Sequence, residues 1–401
     1  MGYCPVQRDG GLRKVDTVIP AGIISADGHI CEPANCYVDY IDPKYRDDAP
    51  RIVRQDNGAD AFVIPGMKRP VALGFIDGAG FGPQERRDRA RTLTFDNVRV
   101  GAYRGAERLP YMDQDGIAAE LIYASVGMGL SMHRDPVYKD ACMQAYNRWL
   151  AEMCAEAPNR IYGMAQTAVL NVDSAIVDFQ RARDMGFVGM MMPGDAVHED
   201  YDHPDYDALW ECATDLDLPI CFHILTSRAG SIYSATRGHA INGFLGIIRA
   251  VQDVVGLMVL GGVFERHPNL KLVVAESDAG WLPHYMYRMD HAVRINAEGG
   301  LIDGLSKLPS EYIRSNVYAT FQDDQTAYHT LGLFPYEHLL WASDFPHTDS
   351  TWPHSRALIA EQASHLTEAQ HQAIFRDNTA RLFNLPAGER SWRMESATAV
   401  A

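Results

Sequence analysis

Short runs of β-branched and apolar residues alternate with longer amphipathic stretches along most of the chain. This alternation predicts parallel strands joined by crossover helices, because a tight turn cannot connect two parallel strands. The predicted strands are 18–27, 117–125, 161–170, 188–193, 219–224, 270–276, 317–321 and 339–345. The predicted helices are 136–157, 172–185, 205–215, 240–264, 281–297 and 367–382. Eight strands in this order favour a closed (β/α)8 barrel, and no strand is followed by the GxGxxG turn that would favour an open, doubly wound sheet.

The interval between the first two predicted strands differs from the others. Residues 31–114 are too many for one loop of a compact domain and are rich in Gly, Pro and Arg, as in GFGPQERRDRAR. We expect one domain over residues 1–401, in which this insertion forms a lid or a small subdomain. Its aromatic residues favour an apolar organic substrate of moderate size; they are Phe62, Phe75, Phe81 and Tyr103.

Charge and composition narrow the class of partner. The formal net charge of −16, from 52 acidic and 36 basic residues, disfavours nucleic acid and anionic membranes. The sequence has no apolar run long enough for a membrane span and no signal-peptide pattern near its start. Its seven cysteines lack regular spacing, which disfavours a disulfide scaffold. We expect a cytoplasmic homo-oligomer that acts on a small molecule and has no nucleic-acid or membrane partner.

Polar side chains come at the ends of four predicted strands. Asp27 and His29 are two residues apart at the end of the first strand, so an extended backbone points both side chains the same way. His223, Glu276 and Asp344 end the fifth, sixth and eighth strands. Each alone is more often a turn former or helix cap than a ligand, but the C-terminal strand ends of a barrel meet at one site. Carboxylates and imidazoles that converge there need a shared countercharge, which a divalent cation supplies.

Four segments that contain these strand ends resemble a known family. SADGHICEP, DLPICFHI, ESDAGWLPHYMYRMD and WASDFPHTDSTWPHS are similar to motifs of the amidohydrolase-related family within the amidohydrolase superfamily. The resemblance covers residues 23–385. The family includes γ-resorcylate and aminocarboxymuconate-semialdehyde decarboxylases as well as hydrolases of C–C and acyl bonds. The resemblance implies an α/β fold, a distorted TIM barrel, with Asp27, His29, His223 and Asp344 as metal ligands.

Two departures from the family pattern bear on the metal. Asp27 stands where the best-known members have His, and Glu276 stands nearest to the place of a His on the sixth strand. No Lys lies between Lys139 and Lys271, so the carbamylated Lys that bridges two metals in many superfamily members has no counterpart. We expect one divalent ion, or two if Glu276 or His347 turns inward. This ligand set suits Zn²⁺ first, and also Fe²⁺ or Mn²⁺.

The predicted chemistry leaves three functions open. The first is hydrolysis, in which metal-activated water attacks the carbonyl of an ester, thioester, amide or C–C bond, Asp344 accepts a proton, and His223 or His347 is the general acid. The second is non-oxidative decarboxylation of an aromatic or unsaturated acid, which needs nearly the same residues. The third is a barrel without metal that only binds. Substrate contacts are expected from residues after the second and fifth strands: His133, Arg228 and His239.

Overall fold

Two β-sheets are present in the computed structural model, which describes residues 18–228, 238–239, 242–296 and 304–387. The strands are β1 Ile23–His29, β2 Arg51–Arg54, β3 Asp60–Val63, β4 Val71–Ala72, β5 Ile117–Tyr123, β6 Ile161–Gln166, β7 Gly189–Met192, β8 Ile220–His223, β9 Leu272–Ala275, β10 Val317–Phe321 and β11 Leu339–Trp341. β1 and β5–β11 form an eight-stranded sheet in chain order, in which every neighbouring pair is parallel. β2–β4 form a separate antiparallel sheet of three strands.

Helices fill the intervals between the parallel strands. They are α1 Asn35–Val38, α2 Leu73–Ile76, α3 Pro83–Thr92, α4 Gly105–Asp115, α5 Val126–Ser131, α6 Pro136–Ala155, α7 Val172–Asp184, α8 Asp207–Asp215, α9 Asn242–Leu260, α10 Val263–Arg266, α11 Leu282–Asn296, α12 Pro309–Asn316, α13 Gln325–His329, α14 Ser355–Gln362, α15 Glu368–Gln372 and α16 Asn378–Leu382. A π-helical turn, Ala373–Asp377, joins α15 to α16. In the described ranges, no helix has both the length and the apolar character needed to cross a membrane.

The parallel strands are buried on both faces, as expected where helices cover a closed sheet. Every residue of β1 and of β5 is buried. One apolar cluster fills the inside of the barrel and includes Met191, Cys221, Val273 and Leu340. A larger cluster lies between the outer faces of the strands and the helices. The predicted barrel architecture is therefore confirmed.

Hydrogen bonds just beyond the ladders join β1 to β11, which brings the two ends of the sheet together. The amide of Ser343 donates to Ser25 Oγ (2.9 Å). The amide of Asp344 donates to the carbonyl of Asp27 (3.1 Å), and the amide of His29 donates to the carbonyl of Phe345 (2.7 Å). We call this contact between β1 and the segment after β11 the seam. It places the C-terminal end of β1 beside residues that follow β11.

The insertion, residues 31–114, contains β2–β4, α1–α3 and all of α4 except its last residue. It contacts two loops at the C-terminal ends of the strands. The amides of Gly78 and Ala79 both donate to the carbonyl of Pro346, at 2.9 and 3.0 Å. On another side, His133 Nε2 lies 2.8 Å from the carbonyl of Pro65. The insertion therefore lies on the side of the barrel where the candidate ligands end their strands.

The observed elements differ from the predicted ones mainly at their ends. β11 ends at Trp341 rather than 345, because the chain leaves the ladder and Asp344 adopts a left-handed backbone with φ 55°. The predicted helix 240–264 divides into α9 and α10 at Gly262, whose φ of 73° suits glycine. Positions 240, 241 and 297 of the predicted helices lie outside the described residues.

Candidate metal centre

Six side chains from four strand ends meet at the C-terminal face of the barrel. Asp27 and His29 are in β1, His223 is the last residue of β8, and Glu276 directly follows β9. Asp344 follows β11 by three residues. Two overlapping groups of ligand atoms lie within 4.8 Å of one another; they are Asp27, His29, His223 and Glu276, and His29, Glu276, Asp344 and His347.

The distances inside this cluster are those of ligands around a shared centre. His29 Nε2 lies 3.4 Å from Asp27 Oδ1, 3.2 Å from Glu276 Oε2 and 3.5 Å from Asp344 Oδ1. His223 Nε2 lies 3.6 Å from Asp27 Oδ2 and 3.3 Å from Glu276 Oε2. Atoms that bind one ion at about 2.1 Å lie roughly 3 Å from each other. The spacing therefore fits a cation between these side chains.

The carboxylate oxygens provide an independent test of this fit. Asp27 Oδ1, Glu276 Oε2 and both Oδ atoms of Asp344 are buried and have no hydrogen-bond partner within the described part of the chain. Buried polar atoms are almost always satisfied, and a buried carboxylate is costly without a countercharge. A divalent cation would satisfy these oxygens and the two facing imidazoles together. The residues present therefore fit the expected metal.

Burial and the neighbouring charges shift the pKa values of the side chains in the cluster. Burial raises the pKa of Asp344 well above its usual value, and the neighbouring Asp27 carboxylate raises it further. Burial also raises the pKa of Glu276, with Asp344 as the next cause. Burial lowers the pKa of His29 well below its usual value and that of His347 to about 3. For His223 the effect of burial is outweighed by the facing carboxylates of Asp27 and Glu276, so its pKa is raised instead.

Hydrogen bonds at the outer ring nitrogens orient two of the histidines. His223 Nδ1 lies 2.9 Å from the carbonyl of Ile224, so this nitrogen carries the proton and Nε2 presents its lone pair to the cluster. Ser125 Oγ donates to the carbonyl of Ile30 (2.6 Å) and lies 2.8 Å from His347 Nε2. Because the hydroxyl has one proton, His347 Nε2 is the donor in the second contact. His347 Nδ1 then faces Asp344 Oδ1 at 3.1 Å with its lone pair.

The backbone is strained where the carboxylates enter the cluster. Glu276 has φ 51° and Asp344 has φ 55°, both in the left-handed region that side chains other than glycine rarely adopt. Such conformations cost on the order of 1–3 kcal/mol and persist where the surrounding structure imposes them, often at functional sites. In both cases the residue has just left a strand, and its side chain reaches the other ligands.

Several residues that contact the candidate ligands or the backbone beside them were not predicted from the sequence. Thr320 Oγ1, in β10, donates to Asp27 Oδ2 (3.2 Å) and accepts the amide of Glu276 (2.7 Å). Ser125 was also missed, as were the buried Arg108 and Glu120. Thr and Ser after apolar strands are common, so the sequence contains no signal that separates these residues from ordinary core positions.

The three residues predicted to contact substrate lie outside the cluster. His133 Nε2 faces the carbonyl of Pro65, and its Nδ1 accepts the amide of Asp135, so both ring nitrogens have partners within the protein. Arg228 has a largely exposed side chain that pairs with Asp195. His239 is exposed. For His133, Arg228 and His239, the role in substrate binding stays a prediction.

The cluster and the barrel agree with the comparison to known protein families. Residues 98–385 match the family model described as amidohydrolase. The chain belongs to the amidohydrolase family. The resemblance seen in the strand-end motifs is therefore confirmed over most of the chain, and the protein is an enzyme of the amidohydrolase superfamily.

Relatives of this amidohydrolase include a γ-resorcylate decarboxylase from Rhizobium sp. (strain MTP-10005), which is 28% identical over 260 residues, or 60% of this chain and 75% of the relative. Among solved structures, an amidohydrolase from Mycobacterium avium subsp. paratuberculosis K-10 superimposes with a TM-score of 0.73 at 18% identity, covering 91% of this chain and 100% of that one. A 5-carboxyvanillate decarboxylase from Novosphingobium aromaticivorans, with bound manganese, gives a TM-score of 0.65 at 18% identity, covering 91% of this chain and 97% of that one.

Proposed function

We propose that this amidohydrolase is a metal-dependent, non-oxidative decarboxylase of hydroxylated aromatic carboxylic acids. The observation that carries the proposal is the convergence of buried, unpartnered carboxylate oxygens on two imidazole nitrogens at the strand ends. Of the two reactions that this ligand set allows, the sequence alone favoured hydrolysis. The decarboxylase relatives favour the alternative instead.

We propose Asp27, His29, His223 and Asp344 as metal ligands, with Glu276 as a further ligand or a direct neighbour of the ion. A bound Zn²⁺, Fe²⁺ or Mn²⁺ would act as a Lewis acid for the carboxylate and the adjacent hydroxyl oxygen of a substrate. Glu276 and His347 both face the cluster. This is the arrangement in which a second ion is expected. One ion or two is therefore a question of stoichiometry that metal analysis answers.

The pair Asp344 and His347 is suited to handle the proton of the reaction. Asp344 Oδ1 and His347 Nδ1 lie 3.1 Å apart. Within the described residues, no other group donates a hydrogen bond to either of these two atoms. In the proposed step, a proton held between them moves to the ring carbon that carries the carboxylate. The C–C bond to the carboxylate then breaks, CO₂ leaves, and the bonding electrons restore the aromatic ring.

The insertion is proposed to shape the binding site for the ring. Its segment at Gly78 and Ala79 is hydrogen-bonded to Pro346, the residue before His347. Phe81 lies under the guanidinium groups of Arg89 and Arg99, at 4.1 and 4.6 Å from the ring centroid. Arg99 also lies over the rings of Phe345 and Trp352, at 5.8 and 5.0 Å from their centroids. The insertion therefore packs against the loop that carries His347, so changes in the insertion should affect substrate specificity.

The test is a decarboxylation assay with metal-loaded protein. Purified protein is reconstituted separately with Mn²⁺, Zn²⁺ and Fe²⁺ and incubated with 2,6-dihydroxybenzoate and other 2-hydroxybenzoates in D₂O. We expect release of CO₂ and one deuterium on the product ring at the carbon that lost the carboxylate. Asp344→Asn should abolish turnover, whereas Asp205→Asn, at an exposed position away from the cluster, should leave turnover unchanged.

A second arm separates decarboxylation from hydrolysis. The same protein is incubated in H₂¹⁸O with activated esters, thioesters and amides of aromatic acids. Incorporation of ¹⁸O into the acid product, together with no CO₂ from any hydroxybenzoate, would show hydrolysis and refute the decarboxylase proposal. Loss of metal from the purified protein without loss of either activity would refute the metal centre.

A further inference from the structure

Arg108 contacts the backbone of both halves of the candidate metal centre. It is in α4, the last helix of the insertion, and its side chain is fully buried. One terminal nitrogen donates to the carbonyl of His29 (2.8 Å), and the other donates to the carbonyl of Phe345 (2.8 Å). His29 is a candidate ligand, and Phe345 directly follows the candidate ligand Asp344. One guanidinium group therefore bridges the two sides of the seam.

A buried carboxylate holds this guanidinium in position. Arg108 Nε donates to Glu120 Oε2 at 2.6 Å, and the other oxygen of Glu120 accepts the hydroxyl of Ser343 at 3.1 Å. Ser343 precedes Asp344, so Glu120 contacts the same segment from β5. The ion pair links the insertion, β5 and the segment after β11.

The sequence between Asp27 and His29 is adapted to this ion pair. A Cβ atom at Gly28 would lie 2.2 Å from Glu120 Oε1, a distance that real structures do not tolerate. Glycine is thus required between the two candidate ligands of β1 so that the Glu120 carboxylate can pass close to the backbone. The observed position of the Glu120 carboxylate, and with it that of Arg108, therefore depends on the absence of a side chain at Gly28.

We propose that Arg108, oriented by Glu120, is a positioning residue that sets the spacing between the ligands of β1 and those after β11, and thereby the affinity for the metal ion. The proposal rests on the metal centre of the proposed function. The insertion would then have a second role beside shaping the substrate site, because its residue Arg108 would determine the geometry of the metal site. Arg108 itself does not touch the ion or the substrate.

The chain offers a matched control in Arg376, which is also fully buried. Its guanidinium donates to the carbonyls of Gly22 (2.7 Å), Pro20 (2.9 Å) and Ala387 (3.1 Å), at the opposite end of β1. Arg108→Lys and Arg376→Lys each keep the charge but lose the planar fork that reaches several acceptors. Both should lower the thermal midpoint, so a structural role alone predicts similar behaviour in the two variants.

The deciding measurement is the Kd for Mn²⁺, by calorimetric titration of the metal-free proteins well below their thermal midpoints. We expect the Kd of Arg108→Lys to rise about 10- to 100-fold, as for other residues that orient ligands, and that of Arg376→Lys to stay within about twofold of wild type. Equal Kd values for Arg108→Lys and wild type would overturn the proposal. If wild-type protein binds no divalent ion, the metal centre of the proposed function itself fails, and this inference with it.

A second variant covers the case in which Arg108→Lys does not fold. Removing one member of a buried ion pair leaves an uncompensated charge, whereas replacing both members does not. The double variant Arg108→Gln with Glu120→Gln is therefore titrated in the same way. A raised Kd for Mn²⁺ supports the positioning role, and an unchanged Kd in this folded double variant overturns it.

Discussion

His29 Nε2 and His223 Nε2 lie 3.2 Å apart, although 194 residues separate the two histidines along the chain. Two neutral imidazoles gain nothing by pointing lone pairs at each other, and neither nitrogen faces solvent. Glu276 Oε2 lies 3.2 and 3.3 Å from the same two nitrogens. Three donor atoms at these mutual distances would surround one side of a bound cation.

The buried, unpartnered carboxylates should lower the free energy of unfolding of the metal-free protein. We expect Asp344→Asn to raise the free energy of unfolding of the metal-free protein by about 1 kcal/mol or more, because it removes one of several buried, unpartnered carboxylates. Divalent ion at 100 times its Kd should stabilise wild type by about 2.7 kcal/mol and Asp344→Asn by much less. Urea unfolding with and without metal measures both effects. A destabilised metal-free Asp344→Asn protein would contradict this account of the cluster.

Glu276 is expected to contribute to metal binding although the family pattern did not predict it. Glu276→Gln should weaken metal affinity or turnover about 10- to 100-fold, since Oε2 faces both His29 and His223. Metal content after dialysis and steady-state kinetics at saturating metal distinguish the two effects. Asp278, two residues later, shares the left-handed backbone and is outside both groups of candidate ligands, so Asp278→Asn is the control. Unchanged affinity and turnover in Glu276→Gln would refute this role.

Ser125 should matter for turnover more than for metal content. Ser125→Ala removes the acceptor of the His347 Nε2 proton, so the ring should lose its fixed orientation toward Asp344. We expect kcat to fall about 10- to 100-fold with little change in KM and retained metal. Ser131→Ala is a matched control, because Ser131 is also buried on α5 and, among the described residues, its hydroxyl bonds only the carbonyl of Gly127. Equal kinetics for the two variants would remove Ser125 from the mechanism.

Glu32 should make the free energy of unfolding fall as the pH rises from mildly acidic to neutral. Burial raises its pKa from 4.5 to about 7, although Oε1 accepts the amides of Ser125, Val126 and Gly127. Between these values the folded state holds a proton that the unfolded state has released, so raising the pH destabilises the fold. Glu32→Gln should therefore be more stable than wild type at pH 8 by up to about 3 kcal/mol, and equally stable below about pH 4.

Unfolding of Glu32→Gln and wild type in urea across this pH range measures the difference. Asp135→Asn is the control, because Asp135 also accepts two amides at a helix start but is exposed. It should show no gain at pH 8. A pH-independent difference between Glu32→Gln and wild type would mean that the carboxylate is not protonated in the fold.

The contact between the insertion and the segment after β11 should affect substrate binding. A Cβ at Gly78 would lie 2.2 Å from Thr348 Cγ2 and 3.0 Å from its Cα. Gly78→Ala should lower the free energy of unfolding by about 1–3 kcal/mol through overpacking and raise KM, with metal content unchanged. Gly82→Ala is the control in the same insertion, since its Cβ would meet no atom within 4 Å. A lower stability with unchanged KM would show that the contact is structural only.

The candidate ligands were predictable for two different reasons. Asp27 and His29 are two residues apart on a strand, so local geometry alone places both side chains on one face. His223 and Asp344 were placed by the ends of their predicted strands and by the family motifs around them. Glu276 departs from those motifs, and only its left-handed backbone, with φ 51°, shows how its side chain reaches the ligands.

The insertion decides the surroundings of His133, which the sequence near this residue does not predict. A histidine after a barrel strand is expected to face the substrate, but the chain at Pro65 approaches its ring and occupies Nε2. Nothing in the sequence near His133 records this approach, since 68 residues separate the two positions.

The sequence by itself determined the alternation of strands and helices, the barrel, and the strand ends that carry acidic and imidazole groups. Each of these features depends on residues that are close in sequence, within about one helix or strand. Only the tertiary structure decided how these ends are joined and oriented. Closure of the barrel brings Ser25 and Ser343, 318 residues apart, into hydrogen-bond contact at 3.2 Å. The same closure creates the contacts of Arg108. Such contacts depend on the packing of the whole chain, which no local pattern of residues encodes.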